Sequence, residues 1–124
     1  MRTERSVATT RALERWQRMS LAVRLAYNTQ CSCAIGGYLA IGRRLIEHEL
    51  VSAQEGEERM YRLLLQTATD LALPDAWREL CLCAARQPLN RLTTLLAHQP
   101  FNVTALHARW DLARRQLPTP SVDA

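Results

Sequence analysis

A chain of 124 residues is long enough for one domain around one hydrophobic core and short for two. Its hydrophobic fraction of 48% excludes an intrinsically disordered chain, and its net charge of +4 is too mild to point by itself to nucleic acid. All 16 basic residues are arginine; codon bias in a GC-rich genome explains this more simply than recognition of carboxylates or phosphates, although the guanidinium fork suits both.

Residues 1–9 read as a polar tail. Thr9 or Thr10 then caps a first helix that runs to about Tyr27. Leu13, Trp16, Ser20, Val23 and Tyr27 step by three and four along one side, with Arg11, Arg15 and Arg18 opposite. Leu21 and Leu25 lie off that stripe, so the second half of the helix is expected to be the deeper half. Asn28-Thr29 breaks the helix, caps the next one, or lets the first two helices run on, and the sequence leaves these open.

The uncharged run from Cys31 to Gly42 is the centre of the reading. Ile35, Tyr38 and Ile41 recur three apart and not two apart, which favours a helix over a strand. Cys33 and Gly37 are four apart, as are Ser32, Gly36 and Ala40, so small residues line a ridge that lets a neighbouring backbone come close. Such a ridge is either the packing centre of a helical core or the seam of a homodimer. Cys33, Gly36, Gly37, Ala40 and Ile41, with Trp16 as an aromatic anchor, are the candidate interface residues. Arg43-Arg44 ends the apolar run short of the roughly 20 residues a membrane span needs.

After that helix closes near Leu50, Ser52-Ala53-Gln54-Glu55 forms a capping box. Glu57 and Glu58 add the negative charge that a helix start favours. The third helix runs to about Leu71 on a stripe of Met60, Leu64, Thr67 and Leu71, widened by Tyr61, Leu65 and Ala68 to an arc that suits several neighbours. Pro74 opens a fourth helix with Trp77, Leu80, Cys81 and Ala84 on one side. Pro88 restarts the chain as a short fifth helix, with Leu89, Leu92, Leu95 and Leu96. Pro100 breaks it again, and Asn102 caps a sixth helix on Val103, Leu106, Trp110, Ala113 and Leu117. The expected fold is therefore all-α. It is a compact bundle of five or six helices over residues 10–117, long in helices one to three and short after, with tails at 1–9 and 118–124.

Chemistry finds little foothold. Cys31/Cys33 and Cys81/Cys83 are Cys-x-Cys pairs, and inside a helix two such thiols point about 200° apart, a poor start for a zinc site. They read first as small buried hydrophobes, with a redox-sensing thiol as the lesser alternative. Met1–Ser6 leads into no apolar core, so a cytoplasmic, thiol-reduced chain is expected. No phosphate loop, His-x-x-x-His or nucleophile elbow is present. No cofactor, metal or catalytic residue is expected. The favoured reading is a non-enzymatic helical protein of a bacterial cytoplasm that binds and modulates a partner protein, as a regulator, anti-activator or dedicated chaperone, and that self-associates as a homodimer. The alternative is a DNA-binding regulator using a helix-turn-helix-like segment at 89–115. Its arginines gather towards the end of the second helix, where a reader of bases would carry them near the start.

Overall fold

The computed structural model describes residues 2–118 and places five helices in chain order, α1 (Arg2–Arg24), α2 (Cys33–Glu47), α3 (Ala53–Ala68), α4 (Asp75–Leu95) and α5 (Pro100–Gln116), with no strand among the described residues. α3 is the axis. It packs against each of the other four helices, most extensively against α4, as its broad apolar arc requires: Met60, Tyr61, Leu64, Thr67 and Ala68 are all buried. α1 and α2 pack on each other and on α3, and α5 lies against α3 and α4.

Helices one and two are separate. α1 stops at Arg24 and α2 at Glu47, and both ends are closed by a left-handed residue, Ala26 (φ 50°) and Glu49 (φ 59°). In each case the amide beyond that residue reaches back five positions: Tyr27 N donates to the Ala22 carbonyl at 3.1 Å, and Leu50 N to the Leu45 carbonyl at 2.9 Å. This is the Schellman closure, usually built on glycine. Here alanine and glutamate adopt the left-handed conformation, at a cost on the order of 1 kcal/mol or more each. At the start of α3, Ser52 is extended (φ −66°, ψ 151°) and its hydroxyl accepts from Glu55 N at 3.2 Å, which is one half of the expected capping box; the Glu55 carboxylate does not return a bond to Ser52 N.

Several boundaries differ from the sequence reading. α1 begins at Arg2, so residues 2–9 are helical where a tail was expected; Met1 and residues 119–124 lie outside the described residues. Among the described residues the second half of α1 holds both of its buried side chains, Trp16 and Val23, but Leu21 in that half is exposed, as are Leu25 and Tyr27 beyond the end of the helix. Leu71, expected on the α3 stripe, lies past the end of the helix and is 80% exposed. α5 starts with Pro100 at its first position behind Gln99, and Asn102 is already inside it.

The expected fourth and fifth helices are one. Pro88 sits inside α4 and is buried. A proline in a helix interior costs about 3 kcal/mol in isolation. The apolar stripe, however, runs through it without a change of phase: Trp77, Cys81, Ala85, Leu89, Leu92 and Leu96 are all buried. Packing of that stripe on α3 outweighs the lost hydrogen bond.

All three tryptophans serve the core. Trp16 is buried, stacks on Tyr38 with centroids 5.9 Å apart, and carries the Arg59 guanidinium over its ring at 5.0 Å. Trp77 donates from Nε1 to the Val23 carbonyl at 2.9 Å, tying α4 to the end of α1. Trp110 donates to the Leu82 carbonyl at 3.0 Å, tying α5 to α4. Arg78 is also buried: its Nε donates to the Ala68 carbonyl at 2.8 Å and its Nη2 to the Gln116 carbonyl at 3.4 Å.

Candidate protein-interaction face

The glycine-bearing helix divides into two unlike sides. Ile35, Tyr38, Leu39, Gly42 and Leu45 face the core. A Cβ on Gly42 would lie 2.5 Å from Met60 Sδ and 3.0 Å from Trp16 Nε1, so Gly42 is where α1, α2 and α3 close on one another. A Cβ on Gly37 would stand 3.0 Å from the terminal methyl of Met19, so Gly37 faces α1. Ile41 is half-buried in the cleft between α1 and α2, and Trp16 is core. The remaining candidates, Cys33, Gly36 and Ala40, are exposed, and nothing lies within 4 Å of a Cβ on Gly36. The six candidate interface residues thus form no common face. What packs tightly on Gly37 and Gly42 is side chains of this same chain, Met19 on the first and Met60 and Trp16 on the second, where the sequence reading expected a neighbouring backbone.

The cysteines also depart from expectation. Cys31 and Cys33 are joined by a disulfide, and neither is in the middle of a helix: Cys31 precedes α2 and Cys33 opens it, so the helical repeat does not hold their sulfurs apart. Cys81 and Cys83 are inside α4, and there the expected divergence holds, with Cys81 buried and Cys83 exposed. Burial pushes the Cys81 thiol up to about 12. No group of three or more His, Cys, Asp or Glu side chains that could hold a metal occurs among the described residues.

Exposed large apolar side chains occur on α1 and the turn after it (Val7, Leu21, Leu25, Tyr27), on α4 (Leu80, Leu95) and on α5 (Phe101, Leu112), and those of α5 share one side of their helix with two exposed alanines. The inner side of α5 carries Val103, Leu106, Trp110, Ala113 and Leu117. Its outer side carries Phe101, Ala105, Ala108 and Leu112 at steps of four, three and four, all exposed, with Phe101 at 90% and Leu112 at 56%. A helix apolar on both sides ordinarily has neighbours on both. Beside this stripe, α3 and α5 enclose an open groove of about 460 Å³ lined by Tyr61, Leu65, Leu112 and Gln116, with Arg62 and Arg109 among its walls and no carboxylate. Neither arginine forms an ion pair among the described residues. The groove therefore presents apolar surface beside two arginines, with the Asp111 carboxylate also near enough to act on Tyr61.

A second polar feature is internal. Glu57 is 2% exposed, with Arg43 Nε 3.8 Å and Arg91 Nε 3.7 Å from its Oε1. Its Oε2 and the Nε and Nη2 of Arg43 have no hydrogen-bond partner, although Arg43 Nη1 donates to Gln87 at 2.9 Å. Burial raises the Glu57 carboxyl above its ordinary value, and the two arginines only partly oppose this. A carboxyl whose folded value is raised contributes stability below its unfolded value and loses it as pH rises through the folded one. Thermal stability compared between wild type and Glu57→Gln should therefore show the variant gaining on wild type as pH climbs from below 4.5 to neutrality. A constant difference across that span would contradict the assignment.

Two of these features were readable in the sequence and were missed. Glu57 stands three residues before Met60, in phase with the buried stripe of α3. Phe101, Ala105, Ala108 and Leu112 carry a second helical period beside the one assigned to the core. No family model, curated protein or solved structure matches this chain.

Proposed function

We propose that this chain is a non-enzymatic regulator or chaperone-like protein that binds a partner protein through the α3–α5 face. The carrying observation is the outward stripe of α5, with Phe101 90% exposed, running beside a groove walled by Arg62 and Arg109. Contiguous exposed apolar surface marks interaction sites, and aromatic residues are favoured anchors in them. The occupant that fits is an amphipathic helix of the partner with acidic side chains along its edge. Its apolar side would lie on Phe101 and Leu112, and its carboxylates would meet Arg62 and Arg109.

The rival reading, a DNA-binding unit over 89–115, gains less support from the same surface. The first turn of α5 offers Phe101, Asn102 and Thr104, and no arginine before Arg109. A second copy of this chain is the other possible occupant.

The test is a Phe101→Asp/Leu112→Glu double variant, which puts acid onto a face suited to acid and leaves the core alone. A protein co-purified with wild type in both directions is expected to bind the variant at least ~30-fold more weakly, the size of one hot-spot loss. The variant should keep wild-type circular dichroism. Undiminished binding, a wild-type dimer that the variant dissociates with no other partner found, or salt-sensitive duplex binding in its place would each overturn the proposal.

A further inference from the structure

Two Cys-x-Cys pairs of identical spacing have opposite fates in this fold, and the difference is positional. Cys81 and Cys83 belong to the interior of α4, and the buried Cys81 thiol is raised to about 12. Cys31 lies in the turn before α2, Cys33 is the first residue of the helix, and they form a disulfide around Ser32. Cys33 is exposed and Cys31 half-buried.

The starts of α2 and α3 also differ in their capping. Ser52, at the start of α3, is extended and accepts a hydrogen bond from Glu55 N. Ser32, in the equivalent place before α2, is already helical (φ −64°, ψ −14°) and its side chain makes no capping bond. The turn is held instead by Ala34 N donating to the Cys31 carbonyl at 3.3 Å and Ile35 N to that of Ser32 at 3.1 Å, with the sulfur bridge across both. The bridge closes a very short loop, so it gains little of the chain-entropy stabilisation that long loops receive. A bridge that is accessible and only weakly favoured by chain entropy belongs with the exchangeable disulfides.

We propose that Cys31-Ser32-Cys33 is a redox centre that cycles between disulfide and dithiol by exchange with an external dithiol. The thiolate of the external dithiol attacks the exposed Cys33 Sγ. A mixed disulfide forms, the Cys31–Cys33 bond breaks, and Cys31 leaves with the electron pair and takes a proton from water. The second external thiol, deprotonated, attacks the external sulfur of the mixed disulfide. Cys33 is released as thiolate and the reductant closes into its own disulfide. Two electrons pass to the protein. The Cys33 thiolate is then at the amino end of α2, where the helix dipole favours an anion. The reverse sequence, starting from Cys33, reoxidises the pair at the expense of an external disulfide. Reduction also frees Ser32 to adopt the extended geometry that Ser52 shows.

The experiment equilibrates the full folded chain in a series of reduced and oxidised dithiothreitol mixtures, quenches with acid, unfolds, alkylates and maps the peptides by mass. Starting from two free thiols of four, the label count should rise to four in one two-electron step, with every change on Cys31 and Cys33. A Cys81→Ala/Cys83→Ala variant should keep the step, and Cys31→Ser should abolish it. If Cys31→Ser fails to fold, the wild-type peptide map decides alone. Four labelled thiols under fully oxidising conditions, or a bridge that excess dithiothreitol leaves intact in the folded chain, would overturn the proposal.

Discussion

Leucine in place of Gly42 is expected to destabilise the fold by about 3 kcal/mol, the upper range for overpacking a filled core. The space for a side chain there is taken by Met60 Sδ, 2.5 Å from the position of a Cβ, and by the Trp16 ring at 3.0–3.1 Å. Both residues are buried: Met60 has no exposed surface, and Trp16 is fixed by its stack on Tyr38. Gly36, six positions earlier on the same helix, meets nothing within 4 Å. Gly36→Ala should therefore stabilise by roughly 0.5–1 kcal/mol, through helix propensity alone. Gly37→Leu should fall between the two, because its neighbour is the end of the flexible Met19 side chain. Urea midpoints of the three variants give the order directly. Equal midpoints for Gly42→Leu and Gly36→Ala would disprove the three-helix junction.

Methionine at position 78 should cost a comparable amount, about 3 kcal/mol. The substitution keeps a long side chain and removes only the guanidinium. Arg78 donates to the Ala68 carbonyl in the last turn of α3 and to the Gln116 carbonyl at the end of α5. Helix ends leave such carbonyls without intrahelical partners. A hydrogen bond from a charged donor contributes about 1.5–3 kcal/mol, and a buried acceptor left bare costs on the same order. Asp75, which pairs with Arg78 at 3.3 Å, has a side chain 66% exposed. Asp75→Asn should therefore change stability by well under ~1 kcal/mol. Thermal unfolding of the two variants separates the roles, and a loss at Asp75 matching that at Arg78 would mean that the ion pair, and not the carbonyl caps, is what matters.

Legibility of the sequence followed period and failed with position. The helical nature of Cys33–Glu47 was readable because its apolar residues recur three apart despite three glycines. Ser52 was readable because a capping hydroxyl and the amide it binds are three residues apart in any context. Pro88 misled because its local penalty is real, whereas the packing that overrides it lies on α3, a long way off in sequence. The small-residue ridge misled for a related reason. Spacing shows which residues share a side, but not which of two sides meets the neighbour, so Gly36 and Ala40 were grouped with Gly37. The disulfide was hidden by assuming that both cysteines lay well inside the helix, when its boundary falls between them. Arg78 gave no signal at all: an arginine among sixteen, separated by ten and by thirty-eight residues from the carbonyls it binds.

The arrangement of helices around α3 sets how the molecule comes apart. α3 touches all four others and loses its contacts only when everything does, so its amides define the deepest level of protection against exchange. α5 rests on α3 and α4 alone and can lift away in a partial opening that leaves the rest assembled. The outer flank of α5 is already bare, so that excursion adds the inner apolar flank to it. The helix proposed to bind a partner protein is therefore also the one from which clumping would begin in a crowded, partnerless preparation.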